Sequence, residues 1–329
     1  MNKPSFSLSL LLVSACAAVL VPPLKAADPA RAPLSAVPAE QPAAVFDPII
    51  ADMIAQVGER EIHDTAAALQ GFTSRAWGQP GNVKAAAYLH ERLGQIAGLT
   101  VGYQGGELKN VVATLQGMDP QSADVYVVGA HYDSMAAGDA IQAPGATDNA
   151  AGVGVVLEYA RVMSLYRFRH TLVFACWNRE ETGMQGSANW VDQALSRSVN
   201  VRLYINNDSC CFDPDGRYVL DLIFNSQSAA IGNMMAGNVA LYKIGFLKLT
   251  DNLHKCGGDY SPFWKKNLTA VSTHQEVHGA HYHTARDTVE RVNTRYARMN
   301  AQVGMSVIAR LAQHQPVASA DSQTPPSRP

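Results

Sequence analysis

The run Asp124-Val-Tyr-Val-Val-Gly-Ala130 is the strongest constraint on how this chain can fold. Its apolar residues do not alternate with polar ones, so the strand it predicts must be covered on both faces. Thr171-Leu-Val-Phe-Ala-Cys-Trp177 repeats the pattern, and residues 201–205 predict a third core strand. Residues 99–103 and 110–115 read as further strands. Elsewhere the apolar spacing is helical. Residues 46–69 predict one or two helices, and 81–96, 150–166, 186–195 and 293–313 one each. Ala150, Ala151, Gly152 and Gly154 give the third of these a small-residue face for close packing on a sheet. Strands alternating with helices predict a single α/β domain, with a mixed, mostly parallel sheet covered by helices on both faces.

The chain has 329 residues, 47% of them hydrophobic, enough to bury one large core or two smaller ones. No repeat or central linker divides it. A net charge of -2 without a basic run argues against a nucleic-acid or anionic-membrane surface. Lys3, the apolar stretch 6–21 and the small residues ending at Ala26 predict an export signal over 1–26. Export would place the mature protein in the periplasm or outside the cell, with no transmembrane span. Val13-Ser-Ala-Cys16 offers a rival, lipid-anchored form through Cys16, and a simple membrane anchor is the third option. Residues 27–45 read as an Ala/Pro-rich flexible lead-in, 46–314 as the folded domain and 315–329 as a Pro/Ser-rich disordered tail. The sequence carries no signal of oligomeric state.

Polar residues follow the core strands. His131 comes directly after the first run, Glu180-Glu181 shortly after the second and Asp208 after the third. In open α/β sheets, sites form beyond the carboxyl ends of the strands. Together with Asp148 and His283, these residues would supply the His, Asp and Glu groups that a metal-dependent hydrolase uses. Asp133, two residues beyond His131, is placed to accept the remaining imidazole N–H, and Asp287, four beyond His283, to support its loop. For each of these, a surface carboxylate is the plainer alternative. Cys176 reads as a buried thiol. Cys210 or Cys211 could bridge to Cys256, with Cys211 preferred, or all could be packed and reduced. No Gly-x-Ser-x-Gly surrounds Ser134, and no glycine-rich phosphate loop follows a strand.

The ordered motifs Gly129-Ala-His-Tyr-Asp-Ser134, Pro144-Gly-Ala-Thr-Asp-Asn149, Asn178-Arg-Glu-Glu-Thr-Gly183, Asn207-Asp-Ser209 and His283-Thr-Ala-Arg-Asp-Thr288 resemble the bacterial di-zinc aminopeptidase family. That family has glutamate carboxypeptidase-like and glutaminyl cyclase-like branches. The resemblance implies two zinc ions and peptide substrates with a free N-terminus. It implies that His131 and Asp208 hold one ion, Glu181 and His283 the other, that Asp148 bridges them, and that Glu180 is the general base. It also implies a cis peptide bond at Asp148–Asn149. Many relatives have Ser-Asp-His where this chain has Gly258-Asp259-Tyr260, which makes Asp259 and Tyr260 candidate substrate contacts. The loop 275–282 carries Gln275, His278 and Tyr282 as further candidates, in place of the apolar pocket wall of leucine-preferring relatives. A di-zinc carboxypeptidase or dipeptidase, a glutaminyl cyclase-like enzyme and a non-catalytic binding module are the alternatives.

Overall fold

The computed structural model describes residues 45–246, 248–251 and 257–315. The expected export signal, nearly all of the lead-in and nearly all of the tail lie outside them. Among the described residues, no helix is long and apolar enough to cross a membrane.

The described residues fold around one sheet of eight strands. These are β1 (Leu99–Gln104), β2 (Asn110–Leu115), β3 (Asp124–His131), β5 (Thr171–Trp177), β6 (Asn200–Asn207), β7 (Val219–Ile223), β8 (Lys248–Asp251) and β9 (Ala270–Gln275). Their order across the sheet is β1-β2-β5-β3-β6-β9-β7-β8. The four central strands run parallel, while β1, β2 and β5 pair antiparallel at one side and β7 pairs antiparallel with β9 at the other. The short strands β4 (Arg167–Phe168) and β10 (His314–Gln315) form a separate ribbon. The sheet is therefore mixed with a parallel core, as the apolar runs predict.

Successive side chains of a strand point to opposite faces, and the core divides accordingly. Tyr126, Val128, Leu172, Phe174 and Cys176 enter the larger cluster. It is closed by α1 (Pro48–Ala55), α2 (Glu59–Gln70), α3 (Pro80–Gly94), α4 (Ala151–Met163), α6 (Ala229–Leu241) and α8 (Thr294–Leu311). Val125, Val127, Val173, Ala175 and Trp177 enter the smaller cluster on the other face, closed by α5 (Gln185–Ser196) and α7 (Tyr260–Lys265). The Tyr204 ring stacks on Phe263 at 4.1 Å between centroids, and the Trp177 indole donates to the Tyr204 hydroxyl at 2.9 Å.

The stretch 46–69 resolves into two helices because Asp47 caps the first and Pro48 starts it, while Gly58 precedes the second. The small residues of α4 do not all meet the sheet as expected. A Cβ on Gly154 would lie 2.9 Å from the backbone of Ile62, so this glycine admits α2. A Cβ on Gly152 would lie 2.5 Å from the carbonyl of Asn207, where α4 abuts the end of β6. That second contact brings the entrance of α4 against the strand that leads into Asp208.

A candidate metal centre

The parallel strands deliver their carboxyl ends to one edge of the sheet. His131 is the last residue of β3, and Asp208 follows β6, its neighbour. His131 Nε2 lies 3.4 Å from Asp208 Oδ1 and 3.2 Å from Asp148 Oδ1. Asp148 sits in the irregular turn Ala146–Ala150 that opens into α4, and its bond to Asn149 is cis. Its other oxygen, Oδ2, lies 3.0 Å from His283 Nε2, and that nitrogen is 3.2 Å from Glu181 Oε2. His131, Asp148 and Asp208 thus form one donor group, and Asp148, Glu181 and His283 a second that shares Asp148. Glu180 belongs to neither.

Asp133 supports the site in a different way from the one expected. His131 Nδ1 meets the backbone carbonyl of Asp133 at 3.1 Å, and the carboxylate oxygen is farther, at 3.6 Å. The carboxylate instead accepts from the amides of Glu180, at 3.0 Å, and Glu181, at 3.2 Å. One residue therefore fixes both the imidazole and the turn after β5. Asp287 likewise serves another loop than its own. It accepts from Thr147 N at 2.9 Å, Thr147 Oγ1 at 2.7 Å and Asp148 N at 3.0 Å, so it holds the shared carboxylate's backbone in place.

The candidate substrate residues separate. Asp259 is fully buried and accepts from the Ser187 hydroxyl through Oδ1, while its Oδ2 has no hydrogen-bond partner. Burial pushes its pKa up to about 7, against the pull of His131 and the Ser187 bond, and Asp208 adds to the rise. Tyr260 is buried in the smaller core, with its ring 4.6 Å from that of Trp264. Gln275 is used by the chain itself. Its amide donates to Ser209 O at 2.8 Å, and its Oε1 accepts from Phe212 N at 2.9 Å, which ties β9 to the loop after Asp208. The exposed His278 lies against Tyr282, and the Tyr282 ring stacks on His283 at 3.8 Å. Tyr282 thereby touches the donor group of Glu181 and His283.

His281 has a place that the sequence reading did not give it. It is buried, its Nε2 is 3.2 Å from Thr147 Oγ1, and its ring meets Phe212 edge-on at 4.5 Å. Its only sequence signal is membership of a histidine-rich loop. Cys176 is a buried free thiol, pushed up to about 12 by burial. Cys210 and Cys211 are buried free thiols with Sγ atoms 3.6 Å apart. Cys256, the expected partner of Cys211, lies outside the described residues.

The donor chemistry suits divalent cations. Glu181 Oε1 is buried without a hydrogen-bond partner, and His283 Nε2 faces the carboxylates of Asp148 and Glu181. Burial raises Glu180 to about 10 despite His131, with Asp208, Asp259 and Glu181 adding to the rise. Glu181 rises to about 7, through burial first and Asp148 second. The carboxylates at this buried edge outnumber the positive charge near them, and buried charges are stable only when paired or coordinating. Imidazole nitrogen with carboxylate oxygen is a donor set that zinc accepts.

Residues 110–308, more than half of the chain, match the model of Peptidase family M28. A protein named probable zinc metalloprotease from Pyricularia oryzae is 42% identical over 106 residues, which are 31% of this chain and 21% of that one. A probable leucine aminopeptidase from Trichophyton verrucosum is 26% identical over 286 residues, 80% of this chain and 76% of that one. This chain thus spans about a fifth of the first relative and about three-quarters of the second. The crystal structure of the LapA aminopeptidase of Legionella pneumophila superposes with a TM-score of 0.73 at 17% identity, over 83% of this chain and 78% of that one. That likeness shows the shared fold.

Proposed function

The chain belongs to peptidase family M28, and we propose that it is a zinc-dependent aminopeptidase that holds two metal ions and acts on peptides with a free N-terminus. The observation that carries this reading is the Asp148 carboxylate, whose two oxygens face two different histidines at 3.2 and 3.0 Å. His131 and Asp208 complete one donor set, Glu181 and His283 the other. Two zinc ions in such a site supply Lewis-acid charge for the developing oxyanion and make a water acidic near neutral pH.

The protein's own groups do the rest. Glu180 takes the proton of the attacking water on its carboxylate and returns it to the leaving amine. The bonds from the Glu180 and Glu181 amides to the Asp133 carboxylate fix the backbone turn that carries both side chains. The surplus of carboxylates, Asp259 among them, favours the cationic amino end of a peptide over its anionic carboxyl end. A carboxypeptidase would need a cation for that terminus. Arg179 stacks on the Trp77 ring at 4.6 Å, Arg286 donates to Ala280 O at 3.0 Å, and the buried Arg75 is held by backbone carbonyls, so these guanidinium groups are engaged elsewhere. The complete double donor set also favours this reading over a glutaminyl cyclase-like enzyme, which usually runs with one zinc, and over a binding module. The leader-like residues 1–26 support export, either as a cleaved soluble protein or anchored through Cys16.

The test is mass-spectrometric cleavage of a mixed peptide library, with N-acetylated copies and a chelator control. Loss of single N-terminal residues is expected, abolished by chelator and absent from acetylated peptides. Trimming from the carboxyl end would contradict the assignment and favour a carboxypeptidase.

A further inference from the structure

We propose that Arg75 is a positioning residue for the metal centre, clamping the His131 loop to the Asp148 loop and linking both to the Glu180–Glu181 turn. This inference rests on the two-ion reading. Arg75 lies between α2 and α3, ahead of the residues 110–308 that match the family model. It is fully buried.

Its guanidinium meets three backbone carbonyls. Nε donates to Tyr132 O at 2.7 Å, Nη1 to Pro144 O at 2.5 Å and Nη2 to Gly145 O at 2.9 Å. Tyr132 directly follows His131, and Gly145 stands just ahead of the turn that carries Asp148. The Arg75 amide donates to Ser134 Oγ at 3.1 Å, and that hydroxyl donates to Ala143 O at 2.7 Å, so the backbone repeats the clamp of the side chain. The Arg75 carbonyl accepts from Asn82 Nδ2 at 2.7 Å. Asn82 and Asn178 exchange side-chain bonds of 2.9 and 3.0 Å, and Asn178 Oδ1 accepts from Arg179 N at 3.0 Å. Every segment that brings a donor group from β3, β5 or the entrance of α4 is therefore one or two bonds from this residue.

Arginine suits the position for a physical reason. Its planar fork offers several N–H donors in fixed directions and no acceptor, so it can gather carbonyls that would otherwise repel one another. Its charge also attracts the carboxylates of Asp287, Asp133, Asp148 and Glu181. The fit is close: Gly145 has φ +50, and a Cβ there would lie 2.5 Å from Asp148 O and 3.1 Å from Arg75 Nη2. Lysine would keep the charge and lose the fork.

The test is Arg75→Lys, followed by zinc titration calorimetry and by thermal melts with and without zinc. Zinc affinity should fall about 10–100-fold, the cost typical of lost outer-shell support, and the zinc-induced rise in Tm should shrink. Equal drops in Tm with and without zinc, at wild-type zinc affinity, would mean general stabilisation only and would overturn the proposal. Should R75K fail to fold, Asn82→Ala cuts only the arm to Asn178. It should weaken zinc binding several-fold, and unchanged affinity there would also contradict the proposal. A wild-type protein that gains no stability from zinc would sink the two-ion reading and the proposal with it, a result separate from equal shifts in R75K.

Discussion

Glu180→Gln is expected to keep its full complement of zinc and to lose turnover by about 10²–10⁴-fold, the usual contribution of a positioned general base. The side chain belongs to neither donor group, so removing its charge leaves both intact. The amide still donates to Asp133, which preserves the turn and the placement of Glu181. Glutamine matches glutamate in size and cannot accept the proton. In the metal-free protein, burial disfavours a charged carboxylate here, with Asp208, Asp259 and Glu181 adding to the penalty. The change should therefore cost little stability. The check is kcat measured beside zinc content by elemental mass spectrometry. Loss of zinc from the variant would assign Glu180 to the ligands and contradict the division of labour between the two adjacent glutamates.

Asp148→Ala should have the opposite signature, with zinc and activity lost together. Each oxygen of Asp148 serves a different donor group, so one truncation leaves both incomplete. Glu181→Ala or Asp208→Ala touches only one group. If the ions together supply at least 4 kcal/mol of transition-state stabilisation, Asp148→Ala should lower kcat/KM by about 10³-fold or more. Bound zinc should fall further in Asp148→Ala than in either single-group variant. Dialysis against a weak chelator followed by metal analysis of the three variants ranks them. Equal metal loss across the set would argue against a shared carboxylate.

The parts of this site that are legible in sequence are those attached to strand ends. His131 and Asp208 follow apolar runs, and parallel pairing of β3 with β6 makes their convergence a matter of topology. Glu180 and Glu181 follow β5 in the same way. Side chains that serve the chain's own backbone are much less visible. Gln275 and Tyr260 look like pocket residues in sequence, but one secures the loop after Asp208 and the other fills the smaller core. Asp133 and Asp287 stand near the expected ligands, yet their carboxylates hold the amides of other loops, Glu180–Glu181 and Thr147–Asp148. Spacing along the chain cannot report contacts between loops that are remote in sequence. Arg75 carries no signal at all, as a lone basic residue in Thr-Ser-Arg-Ala-Trp.

The same limit applies to the fold. Strands β3 and β5 are legible because both faces are apolar. Strand β9 is entirely buried, yet it includes Ser272, Thr273, His274 and Gln275, which hide it from an apolar pattern. Its backbone pairs with β6 and β7, and the Ser272 and Gln275 side chains hydrogen-bond within the protein, so burial does not require apolar residues there.

The most direct test of the account is native mass spectrometry of the metal-stripped wild-type protein titrated with zinc. A plateau at two zinc ions per chain is the predicted result. A plateau at one ion, or no defined uptake, would contradict a centre built on the shared carboxylate of Asp148.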